Sequence, residues 1–307
     1  MIAWLLLGCP GAPDHAAGDA TTPTPRVGEV LFLQELGPPL VSRLDLATGE
    51  VETRFAVPSG GFAYEVEAGE AGAFTLAYMA PSTDGGAGFD RSRIVRMNAD
   101  DTLTDLACAD DAGVWCFFPA VLGDRTWFVD GTTLSWVEEP GGEVHPVVPW
   151  ATEPAVAADR VAWVAFEPPN GARSLELGDA EGIWLRTLVP AGTLDDLARP
   201  FFSADGASVY FVVPTPTTLT RLDLLVPRAW AHGSHDVPGD WWRVSVEGGE
   251  PEQITFLDTV HYDGRAAGDG RRFVTATREG LVVVDILAGT AETMIALRTA
   301  RSVDWIE

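Results

Sequence analysis

The sequence predicts an all-β chain assembled from repeated four-stranded antiparallel units, and three observations point that way. Short apolar runs alternate with turns bearing Gly, Asp or Pro from about residue 27 to the end. A hairpin of two such runs recurs six times, and a second strand–turn–strand motif precedes several of these hairpins. The 32 Gly and 22 Pro are spread along the chain, which suits many short strands and leaves little room for long helices. With 46% hydrophobic and 21% charged residues the composition is that of a folded protein with a sizeable core.

The six hairpins are LVSRLDLATGEVETRF at 40–55, SRIVRMNADDTLTDL at 92–106, TTLSWVEEPGGEVHPVV at 132–148, RSLELGDAEGIWLRTLV at 173–189, WWRVSVEGGEPEQIT at 241–255 and EGLVVVDILAGTAETMI at 279–295. Gly in such turns supplies the positive φ that twisted strands require. The preceding motif is clearest in PFFSADGASVYFVV at 200–213, with weaker copies at 264–277, 154–166 and 119–130; their aspartates are Asp205, Asp269, Asp159 and Asp124. In the second unit Glu70-Ala71-Gly72 stands in its place. Together the motifs give four strands per unit at a spacing of roughly 40 to 65 residues, the arithmetic of a β-propeller.

FSADGASVYFVV followed by WWRVSVEGGEPEQIT resembles the TolB-type, WD-like propeller repeat, with Ala204 where that family has Pro. The resemblance is strongest over about residues 197–300 and weaker back to about 27. It implies a six-bladed β-propeller of four-stranded antiparallel blades and a structural role for the repeat's Asp and Gly. Units two to six each open with a candidate innermost strand, for instance around Pro119–Leu122 and Pro200–Ser203, whereas unit one starts directly with GEVLFLQEL at 28–36. The β-prone run Ser302–Glu307 is left over, so it is expected to cross to blade one and pair with residues 28–35, burying Val303 and Trp305 on one face.

At the other end, Met1–Leu7 is apolar and leads into Leu6-Leu7-Gly8-Cys9, which resembles a bacterial lipobox, although no Lys or Arg precedes the apolar run. The resemblance implies a signal segment at 1–8 and a lipidated Cys9. The alternative is a buried apolar strand with a free thiol. Seven apolar residues are too short to span a hydrocarbon core of roughly 30 Å. Residues 9–26, rich in Pro, Ala, Gly and Thr, read as a tether averaging on the order of 20 to 25 Å. The domain reading is thus signal 1–8, lipidated tether 9–26 and propeller 27–307 with an insertion at 214–239.

With Cys9 consumed by lipid, Cys108 and Cys116 form an even pair expected to bridge in an oxidising compartment, the alternative being two buried thiols. The bridge would contribute about 2 to 3 kcal/mol. The insertion carries His232-Gly233-Ser234-His235-Asp236, whose spacing could ligate a metal, and Leu219, Leu222, Leu225 and Val226 at helical spacing, which reads instead as a short amphipathic helix on the propeller face. The latter is preferred, so no metal or cofactor is assigned. His15, His145 and His261 are linked by nothing. Most of the 11 Trp, among them Trp115, Trp127, Trp136, Trp163, Trp184, Trp241, Trp242 and Trp305, fall in strand runs and read as packing between blades; Trp230 reads as the one to meet a ligand or membrane interface.

A net charge of −25 disfavours nucleic acid, whose affinity comes largely from Lys and Arg. The chain has Arg but no Lys, which a GC-rich genome explains. No G-x-S-x-G elbow, C-x-x-C-H or phosphate-cradling glycine loop is present. The expected function is therefore a non-enzymatic, lipid-anchored, monomeric scaffold in the cell envelope that binds a protein, peptide or glycan, with specificity carried by the 214–239 insertion. The alternative is a cation-dependent propeller hydrolase or sensor with its site in the central channel.

Overall fold

The computed structural model describes residues 28–306 except 35–38, 58–60, 70–72, 82–88, 101, 109–114, 139–141, 168–170, 195, 216–237, 258 and 297–299. The signal segment, Cys9, the tether and nearly all of the 214–239 insertion, with Trp230, His232 and His235, lie outside the described residues. Within them the chain is all-β, with strands and no helix.

The strands fall into antiparallel groups of four. The first comprises β1 (Glu29–Gln34), β2 (Leu40–Asp45) and β3 (Val51–Ala56) together with β24 (Ala300–Ile306), in the order β24-β1-β2-β3. Next come β4 (Phe62–Ala68), β5 (Phe74–Pro81), β6 (Phe89–Met97) and β7 (Leu103–Ala107), then β8 (Cys116–Leu122), β9 (Arg125–Asp130), β10 (Thr133–Glu138) and β11 (Val144–Pro149). A further sheet holds β12 (Ala151–Ala157), β13 (Arg160–Glu167), β14 (Ala172–Asp179) and β15 (Trp184–Val189). The remaining eight strands form one sheet in two halves. One half is β16 (Ala198–Phe202), β17 (Ser208–Pro214), β18 (Pro238–Ser245) and β19 (Glu252–Gln253); the other is β20 (Thr259–Ala266), β21 (Arg272–Thr277), β22 (Gly280–Asp285) and β23 (Thr290–Ile295). Among the described residues the pairs Pro238↔Val260 and Gly239↔Thr259 join the halves.

Each group runs from a buried first strand to an exposed last one. β24 is buried along Ser302–Trp305, whereas β3, β11 and β23 are mostly exposed; Glu52 in β3, Pro146 and Pro149 in β11 and Glu292 in β23 discourage strand addition at these edges, although Val51 and Val144 are exposed there too. The core lies between groups, because the two-residue period sends alternate side chains to opposite neighbours. Val30 and Phe32 join a cluster with Val274 and Leu281, while Leu31 and Leu33 join Phe74, Leu76 and Val95. A strand buried on both faces reads as a continuous apolar run, hence VLFL, VYFVV and LVVV in the sequence.

The repeat aspartates divide. Asp205 accepts the Ala207 N–H at 3.0 Å, and Asp269 accepts those of Arg271 and Arg272 at 2.9 and 3.0 Å. Asp159, in a copy without the glycine, is exposed and faces Arg160 at 3.6 Å. The packing role expected of the tryptophans also divides: Trp127, Trp163 and Trp241 are fully buried, but Trp184 is 58% and Trp115 45% exposed. Both lie outside the interior of a sandwiched strand, Trp184 at the start of the outer strand β15 and Trp115 just before β8.

β24 pairs antiparallel with β1 from Glu29↔Ile306 to Leu33↔Ser302, and the register slips by one residue before Gln34↔Ala300. Val303 is fully buried and Trp305 is 9% exposed. Gly28 makes room for this, since a Cβ there would sit 2.7 Å from the Trp305 indole nitrogen and its φ is +117°. β24 also packs against β4 and β20. Burial of Val303 and Trp305 is worth about 2 kcal/mol or more per side chain. Deleting residues 300–306 should therefore lower the melting temperature by about 10 °C or more, or abolish cooperative melting. Unchanged melting by circular dichroism would contradict this account.

Candidate functional site

The first strands of the groups, β24, β4, β8, β12, β16 and β20, pack successively against one another, and residues of these strands line a common cavity. Charged side chains at alternate positions of these strands meet there. At one level stand Glu65 (β4), Phe118 (β8), Glu153 (β12), Arg199 (β16), Asp263 (β20) and Ser302 (β24); two residues further along stand Glu67, Ala120, Ala155, Phe201, Arg265 and Asp304.

The first level rests on bulges. The ladder slips between Phe117 and Ala120, Thr152 and Ala155, and Ala198 and Phe201. At each slip the residue before a proline has positive φ: Phe118 at 56°, Glu153 at 51° and Arg199 at 55°. Such a backbone costs about 1 to 3 kcal/mol per residue and persists only where surrounding contacts over-determine it. Here the bulges free backbone N–H groups from the ladder. Phe118 N–H donates to Glu65 at 2.7 Å, and Arg199 N–H donates to Glu153. The Arg199 guanidinium bonds the other Glu65 oxygen at 3.2 Å and lies 5.2 Å from the Phe118 ring centroid. Burial raises the Glu65 carboxyl, with Arg199 pulling the other way.

The second level centres on Arg265. Its Nη1 donates to Asp263 at 2.9 Å and its Nη2 to Glu67, while Nε lies 3.6 Å from Asp304. Burial opposes its charge, but Asp263, Glu67 and Asp304 hold its pKa above the ordinary arginine value. The carboxylates are stitched into neighbouring strands as well. Ala68 N–H donates to Asp304 at 2.6 Å, and the Ser302 hydroxyl and Val303 N–H donate to Asp263 at 2.7 and 3.2 Å. Three acids against one base leave excess negative charge, and burial, with Asp304 repelling, pushes Glu67 up to about 8.

A cavity of about 320 Å3 opens at this level. One wall is charged, from Glu67, Arg265 and Asp304; the other is apolar, from Ala120, Ala155 and Phe201. Among the described residues no three His, Cys, Asp or Glu are grouped to hold a metal ion. The arrangement can therefore take a ligand with one polar and one apolar side.

The residues singled out from sequence lie elsewhere. Cys108 and Cys116 are joined in a disulfide with Cα atoms 6.5 Å apart, inside the 7 Å reach of such a bond. The bridge lies just ahead of the β8 bulge. His261 is buried beneath Trp241, with Nδ1 3.1 Å from the indole nitrogen, and burial pushes it down to about 4. His145 stacks on Trp136 at 4.0 Å. Sequence reading missed the channel residues, yet two signals were there: the X-Pro steps Phe118-Pro119, Glu153-Pro154 and Arg199-Pro200, since proline inside a strand marks a bulge, and the acids set within apolar runs in YEVEA and SVDWI.

No protein-family model and no curated protein sequence matches the chain. Its structure does match solved structures. A chain of the nidogen/laminin complex superposes with a TM-score of 0.66 at 10% identity, over 91% of this chain and 98% of that one. A protein from Agrobacterium tumefaciens assigned as TolB gives 0.62 at 12% identity, over 91% and 99%. The tricorn protease gives 0.60 at 14% identity, over 89% of this chain but only 26% of that one. The likeness establishes the fold as a β-propeller. TolB shares that fold, as do part of the tricorn protease and a chain of the nidogen/laminin complex, so the fold alone does not choose a function.

Glu67 gives a test of the channel electrostatics. A carboxyl raised from 4.5 to about 8 in the folded protein contributes stability that is complete below pH 4.5 and is lost as pH rises through 8. Glu65 and Asp304, also raised by burial, act in the same direction. Glu67→Gln should flatten the fall in melting temperature between pH 5 and 8.5. A variant that keeps the full wild-type slope would show that Glu67 is not the group concerned.

Proposed function

We propose that the chain is a six-bladed β-propeller, closed by β24, that acts as a non-enzymatic binding scaffold outside the cytoplasm, tethered through Cys9 and taking a peptide or other envelope ligand at its channel mouth. The four-strand groups and the pairing of β24 with β1 support the blade count and closure. The bridged Cys108–Cys116 pair supports an oxidising compartment, and the fold shared with TolB is compatible with one.

The observation that carries the binding role is the two-sided cavity. Glu67, Arg265 and Asp304 offer donors and acceptors on one wall, and Ala120, Ala155 and Phe201 leave space for an apolar side chain on the other. A structure of a nidogen/laminin complex among the neighbours supports protein binding by such a fold. The specificity expected of the 214–239 insertion falls outside the described residues.

The second reading, a cation-dependent hydrolase or sensor, draws on Glu67 and Asp304 as paired carboxyls of raised pKa beside an open cavity. Against it, Arg265 and backbone N–H groups already engage these oxygens.

Peptide-display selection separates the readings. Peptides enriched on the wild-type protein should lose binding at least about tenfold on Ala155→Phe, which fills the apolar wall, in a variant whose circular dichroism shows it still folded. Millimolar calcium should leave the melting temperature unchanged. A calcium-dependent rise, with peptide binding indifferent to Ala155→Phe, would favour the second reading.

A further inference from the structure

A second concavity, of about 760 Å3, lies between the outer strands of the third and fourth groups and shares no residue with the channel cavity. Four of its lining residues are aromatic: Trp150, Trp163, Phe166 and Trp184. Trp150 is 47% and Trp184 58% exposed, the buried Trp163 lies beneath, and Phe166 stands edge-on to Trp150 at 5.9 Å. Exposed indoles gathered in one concavity offer aromatic surface to a ligand.

Two further features point to a ligand. Trp150, in the turn between β11 and β12, has φ of +58°, a conformation a bulky side chain adopts only under constraint. Its carbonyl accepts the Phe166 N–H at 3.0 Å, so the strain is locked in and holds the indole at the groove. The second feature is Glu176, on β14 facing the groove. Its carboxylate is fixed by three donors: the Trp184 indole N–H at 2.9 Å, the Thr187 hydroxyl at 2.7 Å and the Ser174 hydroxyl at 2.6 Å. All three are neutral, and none of the ion pairs among the described residues involves Glu176. A fixed negative charge without a counter-ion thus sits beside the electron-rich faces of exposed indoles.

We infer that this groove binds an organic cation, and specifically a quaternary, methylated ammonium group of the choline type. Aromatic faces and a carboxylate both attract positive charge, and the attraction strengthens when the cation is desolvated. Hydrogen bonding selects the kind of cation. Of the roughly four acceptor positions of a carboxylate, three are taken at Glu176. The five N–H donors of a guanidinium would find one carboxylate position and two hydroxyl oxygens in the lining side chains, and unmatched buried donors are expensive. A quaternary ammonium has no N–H to satisfy, and its methyl groups suit the indole faces. The charge of the chain, −25, favours a cationic ligand at long range.

Choline titrated into the protein and followed by tryptophan fluorescence and calorimetry tests this directly. Its neutral isostere 3,3-dimethyl-1-butanol, of nearly the same shape, isolates the charge. Choline should bind saturably and at least about tenfold more tightly than the isostere. Glu176→Gln should remove most of that preference while leaving the isostere unaffected, and Trp184→Ala should weaken choline about tenfold or more. If Trp184→Ala proves unstable, Trp184→Phe against Trp184→Leu asks the same question, with the aromatic variant keeping the greater part of the affinity. Phosphatidylcholine vesicles distinguish sources. Retention of the protein on them, absent on phosphatidylglycerol vesicles, assigns a lipid headgroup, and binding of choline alone assigns a free solute. No choline binding in either form, equal binding of choline and the isostere, or binding indifferent to Glu176 and Trp184 would overturn the inference. None of these readouts involves Ala155 or the channel, so the site stands or falls separately from the peptide-binding reading.

Discussion

The last strand of the chain hydrogen-bonds along the first, and the rest of the structure depends on that pairing. β24 lies between β4 and β20 as well as beside β1. Its Ser302 hydroxyl accepts the Val66 N–H at 3.1 Å and donates to Asp263, and its Asp304 accepts the Ala68 N–H. One seven-residue segment thus ties residues separated by more than 230 positions. Without it β1 would offer an open edge, Val30 and Phe32 would lose their partners Val303 and Trp305, and the acids around Arg265 would lose one of their number.

The channel chemistry follows from the same geometry. Charged side chains buried in a β-rich core are weak sources of stability, because desolvation offsets most of their attraction. What they provide is position. Arg265 can meet Asp263, Glu67 and Asp304 together only when β20, β4 and β24 are correctly placed, and the bulges at Phe118 and Arg199 exist where carboxylates accept the freed N–H groups. The result is a fixed polar wall opposite Ala120, Ala155 and Phe201, whose shape does not rely on flexible surface side chains. The aromatic groove is built on the opposite logic: its one charged side chain, Glu176, is bonded by neutral donors alone, and its shape comes from indoles held by one strained turn and one hydrogen bond.

Much of the architecture was legible from local pattern. The hairpins from 40–55 to 279–295 were placed by alternation and turn chemistry, both of which act over a few residues. The leftover run Ser302–Glu307 was readable because an unpaired first unit implies a missing partner. The site was less so. Glu65, Glu67, Asp263, Arg265 and Asp304 come from three distant segments, and only the tertiary arrangement shows that each acid has a base or an N–H within reach. The Phe118, Glu153 and Arg199 bulges were marked by the following prolines, but pre-proline residues ordinarily avoid positive φ, so the local rule pointed away from the observed backbone. Trp184 looked like any strand tryptophan, and its exposure depends on its place on the outer strand β15, information that single-residue patterns do not carry; Trp150 lies in the turn between β11 and β12, where no periodicity marks it.

Amide hydrogen exchange read residue by residue tests the central claim, that β1 and β24 are paired within the core. If they do, the amides of Val30–Leu33 and Ser302–Trp305 exchange as slowly as those of the buried strands β17 and β21, and only on global unfolding. Exchange of both segments within seconds to minutes, at rates typical of fraying termini while β17 and β21 remain protected, would contradict it.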